Sequence, residues 1–209
     1  MVKDGVLTDK DIKELISSGI KIVDPLEEDF IQSASIDLRL GDALYKYDMQ
    51  DYPLGEEIGD DKIKKESFKE HSLKNGNTTY IGLYERVDIP ENMIGLIMPR
   101  SSITRLGISI APIYINPGYE GQMPLTISNL SGRDITLRPM TRVVQLILFY
   151  LSGTPERTYG DLTGAKYLNE KISPSKLYMD KEIEKIIDTV MERETPVLFN
   201  LVKEKIKNE

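Results

Sequence analysis

The sequence predicts a mainly β protein, a sandwich or barrel of short strands with a helix at its front and helices at its back. Three observations carry this. From Thr78 to Leu151, short β-prone runs alternate with turn signals at Pro90-Glu91-Asn92, Asn116-Pro117-Gly118, Ser131-Gly132-Arg133 and Arg138-Pro139, the punctuation expected of sandwiches and barrels. Helical periodicity is confined to the first twenty residues and to the stretch after Lys181. Composition changes after Gly153, where a polar, glycine-bearing segment replaces the β-rich pattern.

Thr8-Asp9-Lys10-Asp11 has the form of a capping box with Asp in place of Glu, so it opens a helix. Ile12, Leu15 and Ile16 give that helix one apolar face, and Gly19 is placed to end it. Ile20 to Val23 is a short strand candidate closed by Asp24-Pro25. In Ser33-Ala34-Ser35-Ile36-Asp37-Leu38-Arg39-Leu40-Gly41 the alternation of Ile36, Leu38 and Leu40 with Asp37 and Arg39 reads as a half-buried strand. Asp37 is then either a functional carboxylate or the partner of a neighbouring arginine.

Residues 49 to 77 lack a clear period and read as an exposed excursion with one or two edge strands, ending in the Asn75-Gly76-Asn77 turn. Tyr159 to Tyr167 is suited to folding over a ligand. Lys181 to Glu194 reads as a helix with Ile183, Ile186, Ile187, Val190 and Met191 on one face, and Pro196 opens a second helical segment. The expected organisation is one domain over 1–172 and a helical extension over 173–209.

Composition excludes several functions. A net charge of −7 offers no basic surface for a polynucleotide. The longest apolar run, Val143 to Leu151, is too short to span a bilayer, and no signal-peptide pattern opens the chain. With no cysteine there is neither a disulfide framework nor thiolate chemistry, which suits a cytoplasmic protein. His71 is the only histidine. A zinc-dependent nucleobase deaminase needs His and Cys ligands, so zinc chemistry of that kind is excluded.

The chemistry concentrates in Pro99-Arg100-Ser101-Ser102-Ile103-Thr104-Arg105-Leu106-Gly107. Planar guanidinium forks match phosphate oxygens, and Ser101 and Ser102 can cover the oxygens that remain. The apolar run Ile94 to Met98 reads as a strand delivering this group to a sheet end. Spacing alone leaves Arg100 and Arg105 equally readable as ordinary surface arginines. The next signal is Ile115-Asn116-Pro117-Gly118-Tyr119-Glu120-Gly121, where Pro117-Gly118 suits a type II turn. Arg142-Val143-Val144-Gln145-Leu146 follows.

This ordered series, with the Ser33–Gly41 stretch as its first motif, resembles the dCTP deaminases and the related trimeric dUTPases over residues 6 to 172. The resemblance implies a distorted β-barrel or jelly roll assembled as a homotrimer, with sites at subunit boundaries. It implies that Arg100, Ser101, Ser102 and Arg105 hold a triphosphate, with Gln145 near the phosphates. Asn116, Pro124, Leu125 and Thr126 would line the pocket, while Tyr159, Lys166 and Glu170 close over the nucleotide. The family usually has Gln at Glu170. The partner would be a deoxynucleoside triphosphate, dCTP or dUTP, accompanied by Mg2+, which phosphates bring with its retained waters.

The chain departs from the family where the chemistry is done. The deaminases activate water with a glutamate at the position of Thr126, and their aspartate before the Pro-Gly turn is Asn116 here. Neither side chain can accept a proton from water near neutral pH, and losing one general base costs roughly 10²–10⁴ in rate. The expected class is a hydrolytic dCTP deaminase-like enzyme, with Glu120 the first candidate for a replacement base. The alternatives are a dUTP diphosphatase and a weakened, nucleotide-binding regulatory relative.

Overall fold

The structure, a computed structural model, describes residues 5–52, 54–161, 165–169, 172–180, 182, 183, 185, 186 and 189. The chain opens with β1 (Gly5–Val6), α1 (Asp9–Ser17), β2 (Val23–Asp24), β3 (Ile31–Gln32) and β4 (Ser35–Tyr47). Then come β5 (Ile63–Ser67), β6 (His71–Leu73), β7 (Thr78–Asp88), β8 (Met93–Pro99) and the single turn α2 (Ser101–Thr104). The remaining strands are β9 (Ile108–Ile110), β10 (Ile113–Ile115), β11 (Glu120–Asn129), β12 (Ile135–Leu137) and β13 (Arg142–Tyr150). The chain is mainly β, as its alternating runs and turns predict.

Among the described residues, eleven strands share one sheet whose central order is β10-β8-β13-β4-β7-β11-β9, and β6 pairs with β12 separately. β4 is the hinge of the curl. Its first half pairs with β13 (Ile36 opposite Leu146, Asp37 opposite Gln145), and its second half pairs with β5 and β7. Gly41 sits at the crossing, where an added Cβ would lie 2.6 Å from the Gly82 carbonyl oxygen. Only glycine lets the two backbones approach so closely.

The core is aliphatic. Ile36, Leu38 and Leu40 of β4 pack with Ile81, Leu83, Leu125, Ile127, Val144 and Leu146 as one buried cluster. α1 joins through Ile12, and its start is the expected capping box: the Thr8 hydroxyl accepts from Asp11 N–H, and the Asp11 carboxylate accepts from Thr8 N–H. Ser18 caps the helix, and Gly19 follows at φ 88°.

Two expectations change, and a third holds in part. Of the Ile20–Val23 strand candidate only Val23 pairs, against Val87, and the strand runs on through Asp24, opposite Arg86. β4 is buried on both faces, because Asp37 and Arg39 are covered as fully as the aliphatic residues between them. The 49–77 excursion is divided: residues 63–67 and 71–73 form edge strands, while residues 49–62 fall outside the β unit. Contacts separate one unit of Met1–Asp48 with Ile63–Ser173 from a second of Met49–Lys62 with Pro174–Glu209. In the second unit, residues 182, 183, 185, 186 and 189 are helical. The rest of the predicted 181–194 helix, and the segment from Pro196 onward, lie outside the described residues.

Candidate functional site

β8 delivers the arginine–serine group to the sheet end, as its apolar alternation requires. Arg100 is the extended residue before α2, and Ile103 anchors the turn in the core. Ser101, Ser102 and Arg105 are exposed, so hydroxyl and guanidinium donors face outward. Arg100 is not an idle cation. Its Nε lies 3.2 Å from Asp37 Oδ2, and its Nη1 donates to the Arg142 carbonyl at 3.1 Å. Arg142 Nη1 reaches the same Asp37 oxygen, also at 3.2 Å.

Asp37 is therefore the partner of two arginines, the second of the two readings its sequence left open. Its side chain is 2% exposed. Burial pushes the Asp37 carboxyl upward, while Arg100 and Arg142 pull the other way. Gln145 stands opposite Asp37 on β13, which places it beside this charged group on the same face. A second buried pair adjoins it. Arg39 Nε donates to Glu85 at 2.6 Å, its Nη1 meets Glu27, and its guanidinium lies between the Phe30 and Tyr84 rings.

Thr126 lies elsewhere. It faces Tyr80 across β7 and β11, with Tyr45 next in the row on β4. These three, with Lys46, Tyr47, His71 and Lys74, border a groove of about 670 Å3. Pro124 and the fully buried Leu125 precede Thr126 on β11 and do not border this groove. Nor do Arg100, Ser101, Ser102 and Arg105. Burial lowers the His71 pKa and Lys46 adds to the effect, while Glu66 opposes it, so the environment favours the neutral imidazole.

The Pro-Gly turn forms as expected: Gly118 is at φ 73° and Tyr119 N–H donates to the Asn116 carbonyl at 3.2 Å. The later segment docks against it. Tyr159 N–H donates to the Pro117 carbonyl, the Tyr119 and Tyr159 rings sit 5.8 Å apart, and Tyr167 N–H donates to the Tyr159 hydroxyl. Lys166 is half-buried in this segment, and Glu170 lies outside the described residues.

Glu120 does not meet Thr126. Arg86 holds its carboxylate and also donates to Asn169 Oδ1 at 2.9 Å, and Glu120 borders no part of the Thr126 groove. Asp88, opposite Glu120, is 3.3 Å from Arg86 Nε, and burial pushes its carboxyl up with help from Glu120 and Asp24. The Asp37–Arg142 and Arg86–Glu120 pairings could not be foreseen from motif order. The first leaves one trace in the sequence, Asp37 set between Ile36 and Leu38 inside a strand.

The fold and site together define a curled β sheet that carries an arginine–serine turn at one strand end and a tail folded onto a Pro-Gly turn. The chain belongs to the dCTP deaminase-like family, whose model matches residues 6–151. It is 32% identical over 187 residues to a protein named dCTP deaminase, dUMP-forming, from Methanopyrus kandleri, covering 84% of this chain and 97% of that one. A protein named dCTP deaminase from Halorubrum lacusprofundi is 33% identical over 176 residues, covering 79% of this chain and 87% of that protein. The crystal structure of 2'-deoxycytidine 5'-triphosphate deaminase from Agrobacterium tumefaciens superposes with a TM-score of 0.56 at 27% identity. That match covers 70% of this chain and 48% of the other.

Proposed function

We propose that the chain binds a pyrimidine deoxynucleoside triphosphate, dCTP foremost, and acts on it by zinc-independent hydrolysis. The observation that carries the reading is the donor set on one strand end: exposed Ser101, Ser102 and Arg105 beside a half-buried Arg100. Guanidinium and hydroxyl groups so grouped suit phosphate oxygens. In the reaction, water adds at C4 of the cytosine ring and ammonia leaves, giving dUTP. Thr126 can orient the water through its hydroxyl, and Asn116 can fix the sugar, but neither can take the proton. Turnover is therefore slow, and a relative that mainly binds nucleotide is the second reading, favoured by the same Thr126. Diphosphate release, the chemistry of a dUTP diphosphatase, is to be measured beside ammonia release over the deoxynucleoside triphosphates with magnesium.

No group of three or more His, Asp or Glu side chains among the described residues is arranged to hold a metal. We propose that magnesium arrives on the phosphates, where it neutralises charge and retains waters. No described helix is long and apolar enough to cross a membrane, and a cytoplasmic location remains part of the proposal.

Titration calorimetry with dCTP and Mg2+ tests the site. Arg105→Ala should weaken binding by about 1.5–3 kcal/mol, the range for hydrogen bonds to charged groups. Arg100→Ala should do the same, with a melting control because it also removes a partner of Asp37. Unchanged affinity in both variants would sink the assignment.

Self-assembly is proposed alongside. Within one chain the Thr126 groove includes none of the arginine–serine residues, so a complete pocket needs those groups from a neighbour. Sedimentation should give a homotrimer of 23.7 kDa subunits. A monomer at all micromolar concentrations would count against a shared site.

A further inference from the structure

We propose that Arg142 is a second anion-binding arginine, held beside Arg100 by the buried carboxylate of Asp37, and that together they form a two-arginine bay for a phosphate chain. This rests on the reading of the turn after β8 as a phosphate site, and extends it to a residue on another strand. The geometry is specific. Arg100 Nε and Arg142 Nη1 converge on one oxygen, Asp37 Oδ2, at 3.2 Å each. Arg100 Nη1 donates to the Arg142 carbonyl, which fixes the two residues relative to each other. The Phe30 ring lies 5.1 Å from the Arg142 guanidinium carbon and holds its plane.

Two guanidiniums brought together repel, and one carboxylate cannot neutralise both. The Asp37–Arg100–Arg142 group therefore carries a net positive charge of its own, beside the Arg39–Glu85–Glu27 group, whose second carboxylate is already engaged by Arg39. Asp37 is buried, at 2% exposure, while the Arg100 and Arg142 side chains are 28% and 38% exposed. The carboxylate thus occupies the inner side of the bay, and the arginines keep solvent-facing surface. An arriving phosphate chain relieves the repulsion and meets side chains whose rotamers are already fixed, which lowers the entropy lost on binding. Asp37 acts through the arginines and is a positioning residue.

The test compares wild type, Arg142→Gln and Arg142→Lys in calorimetry with two probes, dCTP and inorganic tripolyphosphate, over a range of salt. Arg142→Gln should weaken both probes about tenfold or more, the lower end for a lost charged hydrogen bond. Its affinity should also fall less steeply with salt, because one cation is gone. Arg142→Lys keeps the charge without the fork, so it should keep the salt dependence of wild type and recover part of the affinity. A merely structural arginine would leave the salt dependence unmoved. The result that overturns the bay is Arg142→Gln melting like wild type and binding both probes as wild type does, with the same salt dependence. Tripolyphosphate binding lost in Arg142→Gln, with no preference of wild type for dCTP, would uphold the bay and remove the nucleotide reading. Binding of neither probe by wild type would overturn both.

Discussion

Thr126→Glu is expected to raise ammonia release from dCTP by an amount bounded by the roughly 10²–10⁴ that a positioned general base contributes. Thr126 stands exposed on β11, and its groove of about 670 Å3 has room for the longer side chain. Thr126→Gln is the matched control: it has similar length, can hydrogen-bond water, and cannot accept a proton. Initial rates of ammonia release at saturating dCTP should rise for Glu and stay flat for Gln. Equal rates in both, with dCTP bound, would show that basicity at this position is not what limits the reaction. Efficient deamination by the unmutated chain would refute the reading more directly. Glu120 is then a poor replacement, since Arg86 engages it away from the groove. His71, whose pKa burial lowers and which borders the same groove, would be the group to remove next.

Glu85→Ala should be the most destabilising single change at the charged face. Glu85 is 1% exposed and accepts from both the backbone N–H and the Nε of Arg39, at 2.8 and 2.6 Å. Its removal leaves a buried guanidinium with only Glu27 as a charged partner. Breaking a buried pair in this way costs about 3–5 kcal/mol, and the Glu27 contact places this case toward the lower end. Glu27 is 53% exposed, so Glu27→Ala should cost no more than about 1 kcal/mol. Urea unfolding measures both. Equal losses would mean that burial does not govern the strength of this network.

Much of the molecule was legible before its structure. The capping box at Thr8, the Pro-Gly turn at Gly118, the strand through Ile36, Leu38 and Leu40, and the β class all follow from local chemistry. Each depends on residues within a few positions of one another: a side chain bonding its own backbone, a glycine taking positive φ, apolar residues alternating at the strand period. The arginine–serine turn was legible for the same reason, because its donors lie in one six-residue stretch.

What tertiary structure alone decided is which charges meet. Asp37 and Arg142 are over one hundred positions apart, yet a β4–β13 register places them on one face with Arg100. That register also turned a strand read as half-buried into one covered on both sides, because ion pairing lets Asp37 and Arg39 leave water. Likewise the β7–β11 pairing set Glu120 against Arg86 and left Thr126 beside Tyr80. Sequence determined the types of group present and their local geometry. Long-range strand pairing determined their partners, because an ion pair depends on distance in space and no local pattern encodes it.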